Sequence, residues 1–113
     1  MAPEPASSSP EVAVHPAAEQ QRFVIIVGGE TAGLAQYVHH GGRWVFTHTE
    51  IDPSHEGEGL GSVLARAALD HVAATGEQVV PLCPFITGWI ERHSGYDRLV
   101  DHPFTEAVLR SQA

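Results

Sequence analysis

Residues 43–72 read RWVFTHTEIDPSHEGEGLGSVLARAALDHV, and this stretch decides the fold. Arg43–Ile51 is rich in Trp, Val, Phe, Thr and Ile, the composition of a strand. Asp52-Pro53-Ser54 makes a turn. From Leu60 the period changes. Apolar residues fall at Leu60, Val63, Leu64, Ala67, Ala68 and Val72, which predicts one face of a helix over 59–75. Arg66 and Asp70 take the other face, and Gly76 supplies the stop.

Downstream, Glu77–Cys83 (EQVVPLC) reads as a short strand in which Pro81 implies a bulge or an edge. Pro84 can open a second helix, anchored by Phe85, Trp89 and Ile90 and ended by Gly95. Beyond it, Tyr96, Leu99, Val100, Phe104 and Val108 predict a last strand or a packed tail. Upstream, Arg22–Val27 (RFVIIV) and Thr31–His39 are strands punctuated by Gly28-Gly29 and Gly41-Gly42. With Arg43–Ile51 they form an antiparallel meander. Val45–Ile51, the helix and Gln78–Leu82 make a right-handed crossover that sets its two strands parallel. The predicted class is α/β in the α+β sense: a mixed, mainly antiparallel sheet with one β-α-β crossover.

Residues 1–20 are dominated by Ala, Pro, Ser and Glu, without an aromatic residue or an apolar period. Such a stretch buries too little to offset its ordering entropy, so it is expected to be a disordered tail before a domain at 21–113. That domain, about 90 residues, holds one core. The net charge of −8 argues against a nucleic-acid partner and weakly favours a cationic substrate. Cys83 stands alone, so no internal disulfide forms. No apolar run approaches the ~20 residues of a membrane span, and no secretory signal opens the chain. A cytoplasmic protein, monomeric or homodimeric and without a membrane partner, is expected.

Between strand and helix stands His55-Glu56-Gly57-Glu58-Gly59-Leu60-Gly61-Ser62. Three alternating glycines cost backbone entropy and leave bare amides at a helix N-terminus, where unpaired N–H groups and the helix dipole attract anions. A pyrophosphate can approach such a turn closely, with Glu56 and Glu58 pointing outward. The competing reading is a turn that only lets helix pack tightly on sheet. The spacing is neither a P-loop nor the dinucleotide fingerprint.

The run from WVFTHTEI through EGEGLGSVLARAAL resembles the GNAT acyltransferase superfamily, whose Q/R-x-x-G-x-G/A motif opens the helix after a central strand. Glu56 holds the Q/R place and Gly59 and Gly61 the glycines, so Glu56 departs from the pattern and the backbone carries the site. The resemblance extends to a short single-domain subgroup through His48-Thr49-Glu50-Ile51-Asp52-Pro53, Pro81-Leu82-Cys83-Pro84-Phe85-Ile86 and Arg92-His93-Ser94-Gly95-Tyr96. It covers Phe23 to about Leu99. It implies an acetyl-coenzyme A-dependent N-acetyltransferase acting on an amine. The pyrophosphate would lie on Glu56, Gly57, Glu58, Gly59, Leu60, Gly61 and Ser62, and the pantetheine along Glu50 and Ile51.

Cys83 lies at the C-terminal end of its strand, with a helix start beside the sulfur. It reads as a nucleophile, as an acid near the thioester sulfur, or as a buried inert residue. By alternation His48 shares a face with Trp44 and Phe46; it reads as a base or as a half-buried histidine bonded to backbone. The two are the expected reactive pair. The superfamily's tyrosine acid maps to Glu91, and Tyr96 reads as packing. The eight histidines lack metal-ligand spacing, so no metal is expected. Two rival readings remain: an acyl-coenzyme A sensor without catalysis, and a protein-interaction domain.

Overall fold

The computed structural model describes residues 11–112. Its five strands are β1 (Val12–Ala17), β2 (Arg22–Val27), β3 (Glu30–His40), β4 (Arg43–Ile51) and β5 (Gln78–Pro81). They form one sheet in the order β1-β2-β3-β4-β5. The first four are antiparallel neighbours, and β5 runs parallel to β4. The helices are α1 (Leu60–Thr75), α2 (Pro84–Arg92) and α3 (His102–Ser111). The predicted α+β class with its mixed sheet and crossover is what the chain forms. Pro81 sits on an edge strand, where its missing N–H costs no ladder bond. No helix among the described residues is long and apolar enough to cross a membrane.

Residues 12–17 overturn the disordered-tail expectation. They pair in register with β2, from Val12↔Val27 to Ala17↔Arg22. The strand was hard to see because an edge strand gains most of its stability from backbone pairing. Only Val14 of its side chains packs against the core. Residues 1–10 lie outside the described part, so the rest of that expectation does too. The tail after Gly95 is likewise not a strand. Ser94–Leu99 is a 3-10 turn, Val100 makes a single bridge to Val79, and α3 follows.

The core lies between the sheet and α1. Leu64, Ala65, Ala68, Leu69 and Val72 are fully buried, and the sheet opposes them with Phe23, Ile25, Phe46 and Val79. The helical face is rotated from the predicted one: Ala65 and Leu69 take the interior, while Val63 is 44% exposed. The helix follows the residues that meet the sheet, because burying Leu69 gains more apolar area than burying Val63. Both tryptophans join this core, as expected. Ile86, Trp89 and Ile90 bring α2 onto the same side of the sheet. The guanidinium of Arg43 ties α3 to β4. It donates to Asp101 at 2.9 Å and lies 4.1 Å over the Phe104 ring.

Candidate functional site

Three local features of β4 build the site. The first is a bulge. Tyr37 faces Phe46, yet the next residue back, Gln36, faces His48, so Thr47 is extra. An extra residue reverses the alternation beyond it. Thr49 and Ile51 therefore turn toward the α1 side, and His48 and Glu50 turn to the opposite face. His48 does not share the face of Trp44 and Phe46, contrary to the alternation argument.

The second is a splay. The β4–β5 ladder ends at Phe46↔Pro81, while β4 continues to Ile51. The Phe46 carbonyl accepts from both the Leu82 and Cys83 amides, at 3.0 and 3.1 Å, and the chain then leaves the sheet into α2. A V-shaped gap opens between the two parallel strands beyond that point.

The third is the turn into α1. Asp52 caps the 3-10 turn Pro53–His55 through the Ser54 amide and hydroxyl, at 2.9 and 2.7 Å. Those two bonds hold its carboxyl below the usual carboxylate range. Gly57 and Gly59 take φ of 84° and 76°, which a side chain would resist, and Gly59 is the residue before Leu60. The first helical amide to bond back is Val63, to the Gly59 carbonyl at 3.4 Å. The amides of residues 57–62 have no hydrogen-bond acceptor among the described residues.

Of these residues Gly57, Gly59, Leu60, Gly61 and Ser62 border a groove of about 270 Å³. Ile51 and His55 form one wall, and Phe85, Trp89 and Arg92 form the other. A Cβ on Gly61 would stand 2.7 Å from the Phe85 ring, so the glycine keeps this wall close. Glu58 is drawn aside by His55 Nδ1 at 3.1 Å. Glu56 lines the groove, but its amide is committed to the Pro53 carbonyl at 3.3 Å and offers nothing to a ligand. Leu60 is buried beneath the turn. The Ser62 hydroxyl accepts from Trp89 Nε1 at 2.8 Å and keeps its own proton to donate. Glu50 and Ile51 also border a second cavity, of about 350 Å³, with Thr31–Leu34 and Asp52-Pro53. Ile51 is the partition between the two spaces.

Cys83 is 2% exposed, and its sulfur lies 3.2 Å from Thr49 Oγ1. His48 is exposed on the other face of β4, with its Nε2 3.1 Å from Glu50 Oε1. The expected Cys83–His48 pair is therefore not assembled; the thiol's neighbour is Thr49. Sequence reasoning also passed over Arg92, Phe85 and Trp89 as groove residues. Their spacing at positions 85, 89 and 92 marks one face of α2 and was a usable signal. The chain's six basic residues are all arginines, at 22, 43, 66, 92, 98 and 110, so the groove's guanidinium stands in a lysine-free sequence.

A bulged central strand, a parallel neighbour splayed from it and a glycine-opened helix between them define an acyltransferase-type scaffold. A family model described as GCN5-related N-acetyl-transferase matches residues 22–99, and the chain belongs to that family. No curated protein gives a significant match to the chain.

Proposed function

We propose that the protein is an N-acetyltransferase that takes acetyl-coenzyme A as donor and an amine as acceptor. The observation that carries this reading is the row of unpaired amides at 57–62 opening into the groove beside the β4–β5 splay. Bare N–H groups at the positive end of a 16-residue helix suit a diphosphate. Arg92 adds a charge-assisted contact from the facing wall. The pantetheine arm follows β4 past Ile51 and Glu50 into the gap, toward Thr49 and Cys83.

Each face of β4 then has a task. On the α1 side, Cys83 is a buried thiol whose neighbour is a hydroxyl, not a base; this supports an acid over a nucleophile. On the open face, His48 is steered by Glu50 and is reachable from solvent, which supports a base for the incoming ammonium. The amine nitrogen loses its proton to His48 and attacks the thioester carbonyl. A β4 amide facing the gap supports the oxyanion. The C–S bond breaks, the departing thiolate takes the Cys83 proton, and the nitrogen gives its second proton to the Cys83 thiolate left behind, which yields the neutral amide and restores the thiol, while His48 returns its proton to solvent. The single buried cysteine suits the reducing cytoplasm.

The test has two arms. Acetyl-coenzyme A at 100 times its dissociation constant should stabilise the protein by about 2.7 kcal/mol in thermal unfolding. Cys83→Ala should keep that shift and lose turnover, measured as thiol release with an amine panel. No shift with any acyl-coenzyme A overturns the donor assignment. Normal turnover by Cys83→Ala overturns the acid assignment alone.

A further inference from the structure

Cys83 is held at three points. Its amide donates to the Phe46 carbonyl at 3.1 Å, and its own carbonyl accepts from the Thr87 amide at 3.0 Å. Its sulfur makes no capping bond to α2 and lies 3.2 Å from Thr49 Oγ1, the one side-chain partner it has among the described residues. The bulge at Thr47 selects that partner. In an unbulged strand residue 48 would stand on the α1 side, and an imidazole would face the thiol. The extra residue puts a threonine there instead. A β-branched side chain has few rotamers, so the backbone fixes the position of the hydroxyl.

Among the described residues no charged side chain bonds the sulfur. His48 and Glu50 of β4 lie on the opposite face and bond to each other. Arg66 and Asp70 of α1 are engaged by Tyr96. Glu91 and Arg92 stand at the far end of α2 from Cys83. Cys83 is 2% exposed, so a thiolate formed there has little water to support it. The dipole of α2 helps, and the Thr49 hydroxyl is the side-chain donor in reach.

We propose that Thr49 is a positioning residue for the proton that Cys83 delivers, an inference that rests on the N-acetyltransferase reading above. The hydroxyl donates to Sγ, which turns the S–H away from Thr49 and leaves it for the sulfur of the departing coenzyme A. As the C–S bond breaks, that sulfur takes the proton and negative charge forms on Cys83. The O–H···S bond then becomes charge-assisted and strengthens, until the second proton of the amine nitrogen restores the thiol. A contact that is stronger at this stage than in the resting protein lowers the barrier without tightening donor binding. Thr49 itself exchanges no proton.

The experiment uses the full chain with Thr49→Val, which keeps shape and strand preference, and Thr49→Ser, which keeps the hydroxyl. Cys83 is the chain's one cysteine, so the ultraviolet thiolate band, with Cys83→Ala as blank, reads this sulfur alone. The pH at which the band appears should rise by about one to two in Thr49→Val and return close to the wild-type value in Thr49→Ser. This arm needs neither donor nor turnover. With acetyl-coenzyme A and an accepted amine, Thr49→Val should lower kcat about ten- to hundredfold and leave KM for the donor unchanged. Thr49→Ser should recover most of that loss. A band that appears at the same pH in Thr49→Val and wild type, an unchanged kcat, or a loss that falls on KM overturns the role of Thr49. A wild type with no thermal shift from any acyl-coenzyme A overturns the N-acetyltransferase reading itself, and this proposal with it, so the two failures are told apart.

Discussion

At the scale of single residues, the groove depends on contacts no wider than a methyl group. Gly61 faces Phe85 so closely that a Cβ must push the ring aside. Phe85 is 37% exposed and free to swing, so the cost falls on the groove more than on stability. Gly61→Ala should weaken coenzyme A binding about tenfold while moving the unfolding free energy by under about 1 kcal/mol. Adding Phe85→Leu should restore part of the affinity, and calorimetric titration of the three proteins reads this directly. A different glycine tests the strands. A Cβ on Gly33 would meet the Glu50 carbonyl and the Ile51 side chain at 2.6 Å, and backbone cannot swing away. Gly33→Ala should destabilise by about 1–3 kcal/mol in urea unfolding.

At the scale of elements, α1 offers a test of which face is inside. Leu69 is fully buried and Val63 is 44% exposed, although periodicity favoured Val63. Leu69→Ala should cost about 2–5 kcal/mol, and Val63→Ala under about 0.5 kcal/mol. The same scale explains what the sequence could and could not reveal. The meander, the crossover and the glycine-opened helix were legible because each carries a local signature: β-branched runs, glycine pairs, a 3.6-residue period. The Thr47 bulge has no such signature, so His48 was placed on the wrong face and paired with the wrong partner. The strand Val12–Ala17 was hidden by composition, since its stability comes from β2. For α3 the signal existed: Asp101 caps the Phe104 amide at 3.1 Å, and Pro103 follows in the first turn. The aromatic and valine residues nearby suggested a strand or a packed tail instead.

At the scale of the whole molecule, two partly buried carboxylates set an acid limit. Glu77 is held below the usual carboxylate range by the Trp44 indole N–H and, next, by His39, each at 2.7 Å. Asp101 is lowered by the Phe104 amide and then by Arg43. A depressed folded pKa contributes stability that is complete above the unfolded value, near 4, and is lost as pH falls from there through the folded value. The melting temperature should therefore drop below about pH 4, and Glu77→Gln should flatten part of that drop. The boundaries of the fold give a second test. A chain cut to residues 22–99 would lose β1 and α3, exposing the β2 edge and the β5 flank. An exposed apolar edge invites strand-to-strand association, so size-exclusion chromatography should show aggregates where the full chain runs as one species.

The arginine-only complement of cations has a practical side for the chemistry proposed. A guanidinium stays protonated at neutral pH and is a poor nucleophile, so residues 1–113 hold no side-chain amine able to accept an acetyl group. Prolonged incubation with donor should leave these side chains at their original mass. Acetate recovered on nitrogen, the α-amino group apart, would then report on the added acceptor, free of self-modification at lysine.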